Sequence, residues 1–173
     1  MNLTWTLKTS PLREKLVIDY RLTNTGPSRI HVLDVMTVFG ATDGVELAPA
    51  AIIVRADSKD PRRVLFTRGH VPPSSDVSFE LVPGARTLEP GATLEGHAEV
   101  PLPLRAWHPN EDEELPLAST PEEAVLEIGF VPGDVPLRPL PALVGGSAQT
   151  PQRPELVTAQ RFIRSEPQPL PAR

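Results

Sequence analysis

The chain has 173 residues, of which 39% are hydrophobic, and a formal net charge of −5. It contains no cysteine, which excludes disulfides, thiolate metal sites and cysteine nucleophiles and is typical of a reducing compartment. An acidic chain with only 5% aromatic residues lacks the basic surface that nucleic-acid binding requires, so we expect no nucleic-acid partner.

The amino-terminal residues have neither the basic leader nor the apolar run of a signal peptide. No stretch of the sequence has the length and apolar composition of a membrane span. We therefore expect a cytoplasmic protein without a membrane partner, unless a leader precedes the sequence.

The chain begins with a pattern that is typical of a strand. Leu3, Trp5 and Leu7 alternate with polar residues, which is the period-two pattern of a strand with one buried and one solvated face. Pro11 ends this pattern, because proline cannot continue a ladder of backbone hydrogen bonds. We predict a first strand that ends before Pro11.

The segment Lys15 to Phe39 organises the rest of the prediction. Its first half alternates apolar with mostly charged residues at Leu16, Ile18, Tyr20 and Leu22. The turn residues 24–27 read Asn-Thr-Gly-Pro, and an apolar strand follows from Ile30. We predict a central β-hairpin. The apolar parity changes after Val32, which indicates either a bulge in the second strand, the favoured interpretation, or a strand that is buried on both sides.

Further short strands follow up to residue 100, separated by turn signals. Apolar runs lie at 51–56 and 64–66, an alternating segment lies at 77–81, and Pro90-Gly91 marks a turn before residues 94–100. Small or apolar residues share one face of that last strand, whereas His97 and Glu99 share the other.

The second half is rich in proline, and most of the 22 prolines lie from Pro101 onward, which argues against long helices there. We predict irregular loops at about 101–121 and 132–154, the first of which contains the acidic run Glu111 to Glu114, and strands at 125–130 and 156–164. Residues 1–166 form a single predicted domain, and residues 167–173 form a mobile carboxy-terminal tail. A helical turn at 120–126 is the less favoured alternative to a strand.

Two turn sequences carry a family resemblance. The run Leu22-Thr-Asn-Thr-Gly-Pro precedes one apolar strand, and the run Leu88-Glu-Pro-Gly precedes another. These runs resemble turns of bacterial immunoglobulin-like accessory domains, including intracellular proteinase-inhibitor-like domains. The resemblance spans the layout of strands and turns over about residues 1–100. The resemblance and the strand pattern imply an all-β, immunoglobulin-like β-sandwich with long proline-rich loops in its second half, and they leave the function open.

Candidate catalytic and metal-binding residues are few. His97 and Glu99 have the spacing of two metal ligands on one strand face, but a solvated strand face is the favoured interpretation, and we predict no metal and no cofactor. The sequence contains no Gly-x-Ser-x-Gly, His-Glu-x-x-His, phosphate-binding loop or dinucleotide fingerprint. We therefore predict that the protein is not an enzyme. An enzyme or metal-binding protein whose residues converge from distant loops stays open as an alternative.

Two loop segments are the candidate interface. Trp107 and His108 stand in a proline-rich stretch beside the acidic run, where Trp107 either anchors an interface or packs under the end of the sandwich. Arg138 and Leu140 belong to the segment 136–141, which has the composition of a polyproline II ligand. The alternative for this segment is a structural loop whose leucines cover the core.

The favoured function is a non-catalytic protein-interaction or scaffold module of bacterial type with a protein partner. A protease-inhibitor-like binding protein is the second hypothesis, because prolines stiffen the loops and a stiff loop loses little entropy on binding. Prolines 101 and 103 are suited to protecting a sheet edge. We therefore expect a monomer or a weak homo-oligomer.

Overall fold

The computed structural model describes residues 1–39, 44–72, 82–107, 115–117, 120–140, 143 and 146–171. These residues are mostly extended, so the prediction of an all-β protein is confirmed. The first eight strands are β1 (Asn2–Thr9), β2 (Lys15–Thr23), β3 (Ile30–Val35), β4 (Thr37–Phe39), β5 (Val45–Leu47), β6 (Ile53–Ala56), β7 (Arg63–Arg68) and β8 (Gly84–Leu88). The remaining elements are β9 (Thr93–Pro101), β10 (Arg105–Ala106), β11 (Leu115–Pro116), β12 (Glu123–Pro132), β13 (Leu137–Pro139), β14 (Gln149–Pro151), α1 (Arg153–Ala159), β15 (Arg161–Arg164) and β16 (Gln168–Pro169).

A three-stranded antiparallel sheet has the strand order β1-β2-β9. The period-two pattern turns one face of this sheet inward, and Leu16, Ile18, Tyr20 and Leu22 are all buried on it. Trp5 of β1 is buried on the same face, as the alternation in the first strand predicts. The predicted faces of β1 and β2 are therefore confirmed.

A larger sheet is built around β12, and its strand order is β13-β14-β8-β3-β12-β7-β6. Strand β12 runs parallel to β7 and antiparallel to β3. Strands β15 and β16 also pair with β12, and Glu127 in its middle pairs with Thr67 of β7 on one side and with Arg164 of β15 on the other. The two-stranded pairs β4-β5 and β10-β11 complete the described strands.

The main hydrophobic core joins the two sheets. Its buried side chains include Trp5, Ile18, Leu22, Leu94, Ala98 and Val100 from the small sheet and Ile30, Val32, Val64, Phe66, Leu126 and Ile128 from the large one. Contact between these two sets means that the sheets pack face to face. A smaller cluster on the other face of the large sheet joins Leu33 and Val131 to Leu156 of α1.

The predicted hairpin between β2 and β3 is wrong, because these strands belong to different sheets. Strand β2 pairs with β1 and β9, whereas β3 pairs with β8 and β12. The connecting residues cross from one sheet to the other, and the buried Asn24 side chain donates to the carbonyls of Ser28 and Leu88 at 2.9 and 3.1 Å. The register between β3 and β8 shifts between Val32 and Val35, so the predicted bulge is present in a strand that is buried on both faces.

The predicted last strand at 156–164 is a helix followed by a short strand. Helix α1 begins with a proline in its first turn and carries Glu155 there, and both features favour a helix start. Leu156 is buried against Leu33 and Val131. The burial of Leu156 therefore stabilises the helix in addition to the proline and Glu155 in its first turn. The strand prediction overlooked this signal of a helix start.

The described part of the predicted carboxy-terminal tail, residues 167–171, lies against the large sheet. Strand β16 pairs with Glu123 and Ala124 of β12, and the side chain of Gln168 donates to the carbonyl of Trp5 at 2.8 Å. The predicted loops at about 101–121 and 132–154 contain the short strands β10, β11, β13 and β14. The predicted strand at 77–81 and the acidic run at 111–114 lie outside the described residues.

Arg68 links the two sheets through a buried polar network. Its side chain is buried, and Nη1 donates to the Tyr20 hydroxyl and to the Asp34 carbonyl, both at 3.1 Å. Nη2 donates to the carbonyls of His97 at 2.6 Å and of Pro49. One guanidinium therefore serves acceptors from β2, β3 and β9 and from the segment before β6.

Asp34 is the buried anion of this network. Its carboxylate accepts a hydrogen bond from the Tyr20 hydroxyl at 3.0 Å and a two-pronged contact from Arg86, in which Nε lies 2.9 Å from Oδ1 and Nη2 contacts Oδ2. Forked contacts of this kind fix the geometry of both partners. Asp34 and Arg68 therefore hold the Tyr20 hydroxyl in one place.

We expect the Tyr20 hydroxyl to titrate far above its ordinary range. Burial first, and then the negative charge of Asp34, raise the pKa of Tyr20 from 10.0 to about 12. Neutral Tyr20 therefore stabilises the folded state below pH 10, and this contribution is lost as the pH rises through the folded-state pKa of about 12. Tyr20 is the only tyrosine, so phenolate absorbance reports on it alone. A midpoint near 10 in both native and urea-unfolded protein would contradict the burial of its hydroxyl.

Candidate functional site

An apolar cleft of about 580 Å³ opens where β1 and β9 end and where β2 and β12 begin. Four separate stretches of chain line it, and their lining residues are Thr9, Arg13 and Leu16; Leu102, Pro103 and Leu104; Thr120, Pro121 and Glu122; and Leu170 and Pro171. Its volume lies within the range of pockets that hold small molecules or side chains of a partner. We take this end cleft as the candidate site.

Backbone hydrogen bonds hold the walls of the end cleft together. The Leu102 N–H donates to the Glu14 carbonyl, and the Leu170 N–H donates to the Glu122 carbonyl, both at 2.8 Å. Arg13 reaches the cleft from the turn between β1 and β2, where its φ of 56° lies in the left-handed region. Segments that are distant in sequence are thus fixed side by side at the cleft.

The floor of the end cleft is an extension of the main core. Leu16 is buried, and Leu102, Leu104 and Leu170 are half-buried and pack against the core cluster. Covering such side chains with another apolar group is favourable by about 25 cal/mol for each Å² removed from water. The exposed parts of these leucines are therefore the strongest attraction that the cleft offers.

The polar side chains of the end cleft are mostly more exposed than its leucines. Arg13, Thr120 and Glu122 are exposed and Thr9 is half-buried. The described lining residues include no histidine, serine or aspartate. With one basic and one acidic side chain among leucines and prolines, the described surface is suited to binding apolar groups.

The three predicted interface residues that the structure describes, Trp107, Arg138 and Leu140, do not line this cleft. Trp107 is half-buried beside β6, where its backbone N–H donates to the Val54 carbonyl at 2.7 Å. Arg138 is exposed on β13, at the other end of the strand order of the large sheet. Leu140 is buried, and its N–H donates to the Ala148 carbonyl at 2.8 Å. Leu140 is thus one of the buried apolar side chains, as in the alternative of a structural loop, whereas His108 lies outside the described residues.

His97 and Glu99 lie on the solvated face of the small sheet in a row of ion pairs. His97 Nδ1 lies 2.8 Å from Asp19 Oδ1 and its Nε2 lies 3.5 Å from Glu99 Oε1. Lys15 Nζ lies 2.6 Å from Glu99 Oε2, and this hydrogen bond is the main reason why the pKa of Glu99 lies below its usual value. Within the part of the chain that the structure describes, no group of three or more side chains could hold a metal ion.

The lining leucines and the tail were missed as site residues when the sequence was considered alone. Their signal is the alternation of proline and leucine at 101–104 and again at 169–171. Proline marks these segments as loops, but a leucine next to proline in a loop is buried only if side chains from other parts of the chain pack against it. That combination predicts a surface cleft better than either residue type does alone.

Comparisons of the chain with protein-family models, with curated proteins and with solved structures gave no match. Among the described residues, no helix is long and apolar enough to cross a membrane.

Proposed function

We propose that the protein is a non-catalytic, immunoglobulin-like interaction module that binds an apolar segment of a protein partner in the end cleft. The observation that carries this proposal is the lining of the cleft, where half-buried leucines that belong to the core reach the surface between prolines. Apolar pockets of this kind are where binding energy concentrates in protein interfaces.

The immunoglobulin-like part of the proposal rests on how the chain passes between sheets. Strand β2 lies in the small sheet and β3 in the large one, and side chains of both enter the same core. Connections that change sheets are characteristic of sandwich folds with Greek-key topology. The turn sequence at residues 22–27, which carries the family resemblance, is the connection that makes this change.

A protein segment fits the described cleft better than a charged metabolite does. Leucine and proline supply most of the lining, and Arg13 and Glu122 supply one charge of each sign. Prolines at 103, 121 and 171 limit the freedom of the walls, so little conformational entropy is lost when a partner is bound. The expected ligand is therefore a short apolar peptide segment with flanking charges.

Replacing Leu104 with glutamine is expected to weaken partner binding by about tenfold to a hundredfold. The change removes an apolar contact worth about 1.5–3 kcal/mol and places an amide in the cleft. The measurement is affinity capture from native cell extract at mild salt, with the captured proteins quantified for the original chain and for L104Q. The retained fold is checked by far-ultraviolet circular dichroism and thermal melting.

The matched control is Val157→Gln, because Val157 is 58% exposed on α1, away from the end cleft. Proteins captured by the original chain and by V157Q, but lost with L104Q, support the proposal. A set of proteins captured equally by all three contradicts the cleft as the binding site. Capture of no protein by the original chain contradicts the interaction module itself.

A further inference from the structure

A buried carboxylate lies on the face of the large sheet that points away from the main core. Glu127 alternates along β12 with Leu126 and Ile128, which enter that core, so its side chain takes the opposite face. The side chain has no solvent exposure. A carboxylate this deeply buried needs cationic partners, and two arginines supply them.

Each oxygen of Glu127 faces a different guanidinium. Arg55 Nη2 donates to Oε2 at 2.6 Å, and Arg164 Nε lies 2.6 Å from Oε1 in an ionic contact. The Thr67 hydroxyl also donates to Oε2 at 2.9 Å, and Arg55 Nε reaches that hydroxyl at 3.3 Å. The two guanidiniums are thus held on either side of one carboxylate.

Among the described residues, these three side chains together carry one net positive charge, and several N–H groups of the two guanidiniums have no protein acceptor. Two guanidiniums face one carboxylate, in a chain whose net charge is −5. The side chains of Arg55 and Arg164 are 33% and 49% exposed, and each guanidinium carries five N–H donors. Their outward N–H groups are already oriented by Glu127, which reduces the entropy lost when an anion binds.

An exposed aromatic ring flanks these donors. Phe162 stands two residues before Arg164 on β15 and therefore on the same face, and 36% of its surface is exposed. Its ring atom Cε1 lies 3.1 Å from the point that a Cβ on Gly69 would occupy. The absence of a side chain at Gly69 thus lets the ring lie close to the sheet, on the face that Arg164 shares.

We infer that Arg55 and Arg164 form a binding site for a small oxyanion, a carboxylate or a phosphate, whose attached apolar or planar group contacts Phe162. This site is separate from the end cleft and does not depend on the proposed function. Glu127 is a positioning residue in it, because its carboxylate orients both guanidiniums from below.

The test is a nuclear magnetic resonance titration of the whole chain with sodium acetate, sodium benzoate and inorganic phosphate. We expect saturable shifts of the Arg55 and Arg164 Nε–H resonances with a Kd on the order of 1–10 mM for a single-point anion. Benzoate is expected to bind about threefold more tightly than acetate through Phe162. Saturable shifts with phosphate but not with acetate or benzoate assign the site to phosphate. Equal affinities for benzoate and acetate show that Phe162 does not contact the ligand.

Arg164→Gln is expected to weaken binding of the saturating anion by about tenfold. The matched control is Arg161→Gln on the same strand, because Arg161 is exposed and pairs in register with Phe130 rather than with Glu127. Equal weakening by both variants overturns the site, and so does a titration of the unmodified chain that gives no saturable shift at either arginine. The second result needs no variant, so it decides the matter even if R164Q folds poorly.

Discussion

Replacing Arg68 with methionine is expected to lower the free energy of unfolding by about 3–5 kcal/mol. Methionine keeps a flexible apolar stem but is shorter and has no donors, so it leaves the buried carbonyls of Asp34, Pro49 and His97 without the hydrogen bonds that the guanidinium gives them. It also removes the donor to the Tyr20 hydroxyl. Urea unfolding followed by tryptophan fluorescence measures the change.

The matched control for this prediction is Arg21→Met on the outer face of the small sheet. Arg21 pairs with Glu95, but their side chains are 62% and 69% exposed, and an exposed pair contributes at most about 1 kcal/mol. The two variants remove the same chemical group, one from the buried network and one from an exposed ion pair. Equal losses of stability in R68M and R21M would show that the buried network contributes no more than a surface ion pair.

Local alternation of side chains was enough to predict the faces of the early strands. The inward positions of Ile18, Tyr20 and Leu22 follow from a period of two, which depends only on the extended backbone. The pairing partner of a strand does not follow from that period. Strand β2 hydrogen-bonds to β9, and the paired residues lie 70 to 86 positions apart in sequence. A short turn between β2 and β3 gives no information about such a distant contact.

The polar interior could not be predicted for a related reason. Charged residues are rarely buried without partners, so the sequence alone predicts exposed positions for Arg68, Asp34 and Glu127. All three are buried in the structure. Each is buried through contacts with residues from other strands, such as Arg86 for Asp34 and Arg164 for Glu127. Such partners become visible only when the strand order is known.

The end cleft combines what the sequence predicts with what it leaves open. Prolines 103 and 121 lie in the connections 102–104 and 120–122, which are outside the long strands β9 and β12. That these connections meet residues 170–171 depends on β16 pairing with β12. The docked tail is therefore the feature that turns separate loops into one site.

Replacing Gly96 with alanine is expected to destabilise the protein by about 3 kcal/mol, at the upper end of the usual cost of overpacking. Gly96 of β9 stands opposite Tyr20 of β2, and the phenol ring lies across it. A Cβ on Gly96 would stand 2.0 Å from Cζ and 2.2 Å from the hydroxyl oxygen of Tyr20. The ring cannot move aside cheaply, because Asp34 and Arg68 both hydrogen-bond to that oxygen.

A double-mutant cycle with Tyr20→Leu separates this clash from a general intolerance of alanine in β9. Leucine removes the ring atoms that a Cβ on residue 96 would meet, so in the Y20L background G96A should cost at least about 1.5 kcal/mol less than in the original chain. Gly26→Ala is the control for loss of a glycine, since the nearest atom to its Cβ would be Asn24 Oδ1 at 3.3 Å, and its cost should stay within about 1 kcal/mol. An equal cost of G96A in both backgrounds would mean that strand β9, rather than the Tyr20 ring, requires the glycine. The ring over Gly96 would then have no part in fixing the hydroxyl that Arg68 and Asp34 share.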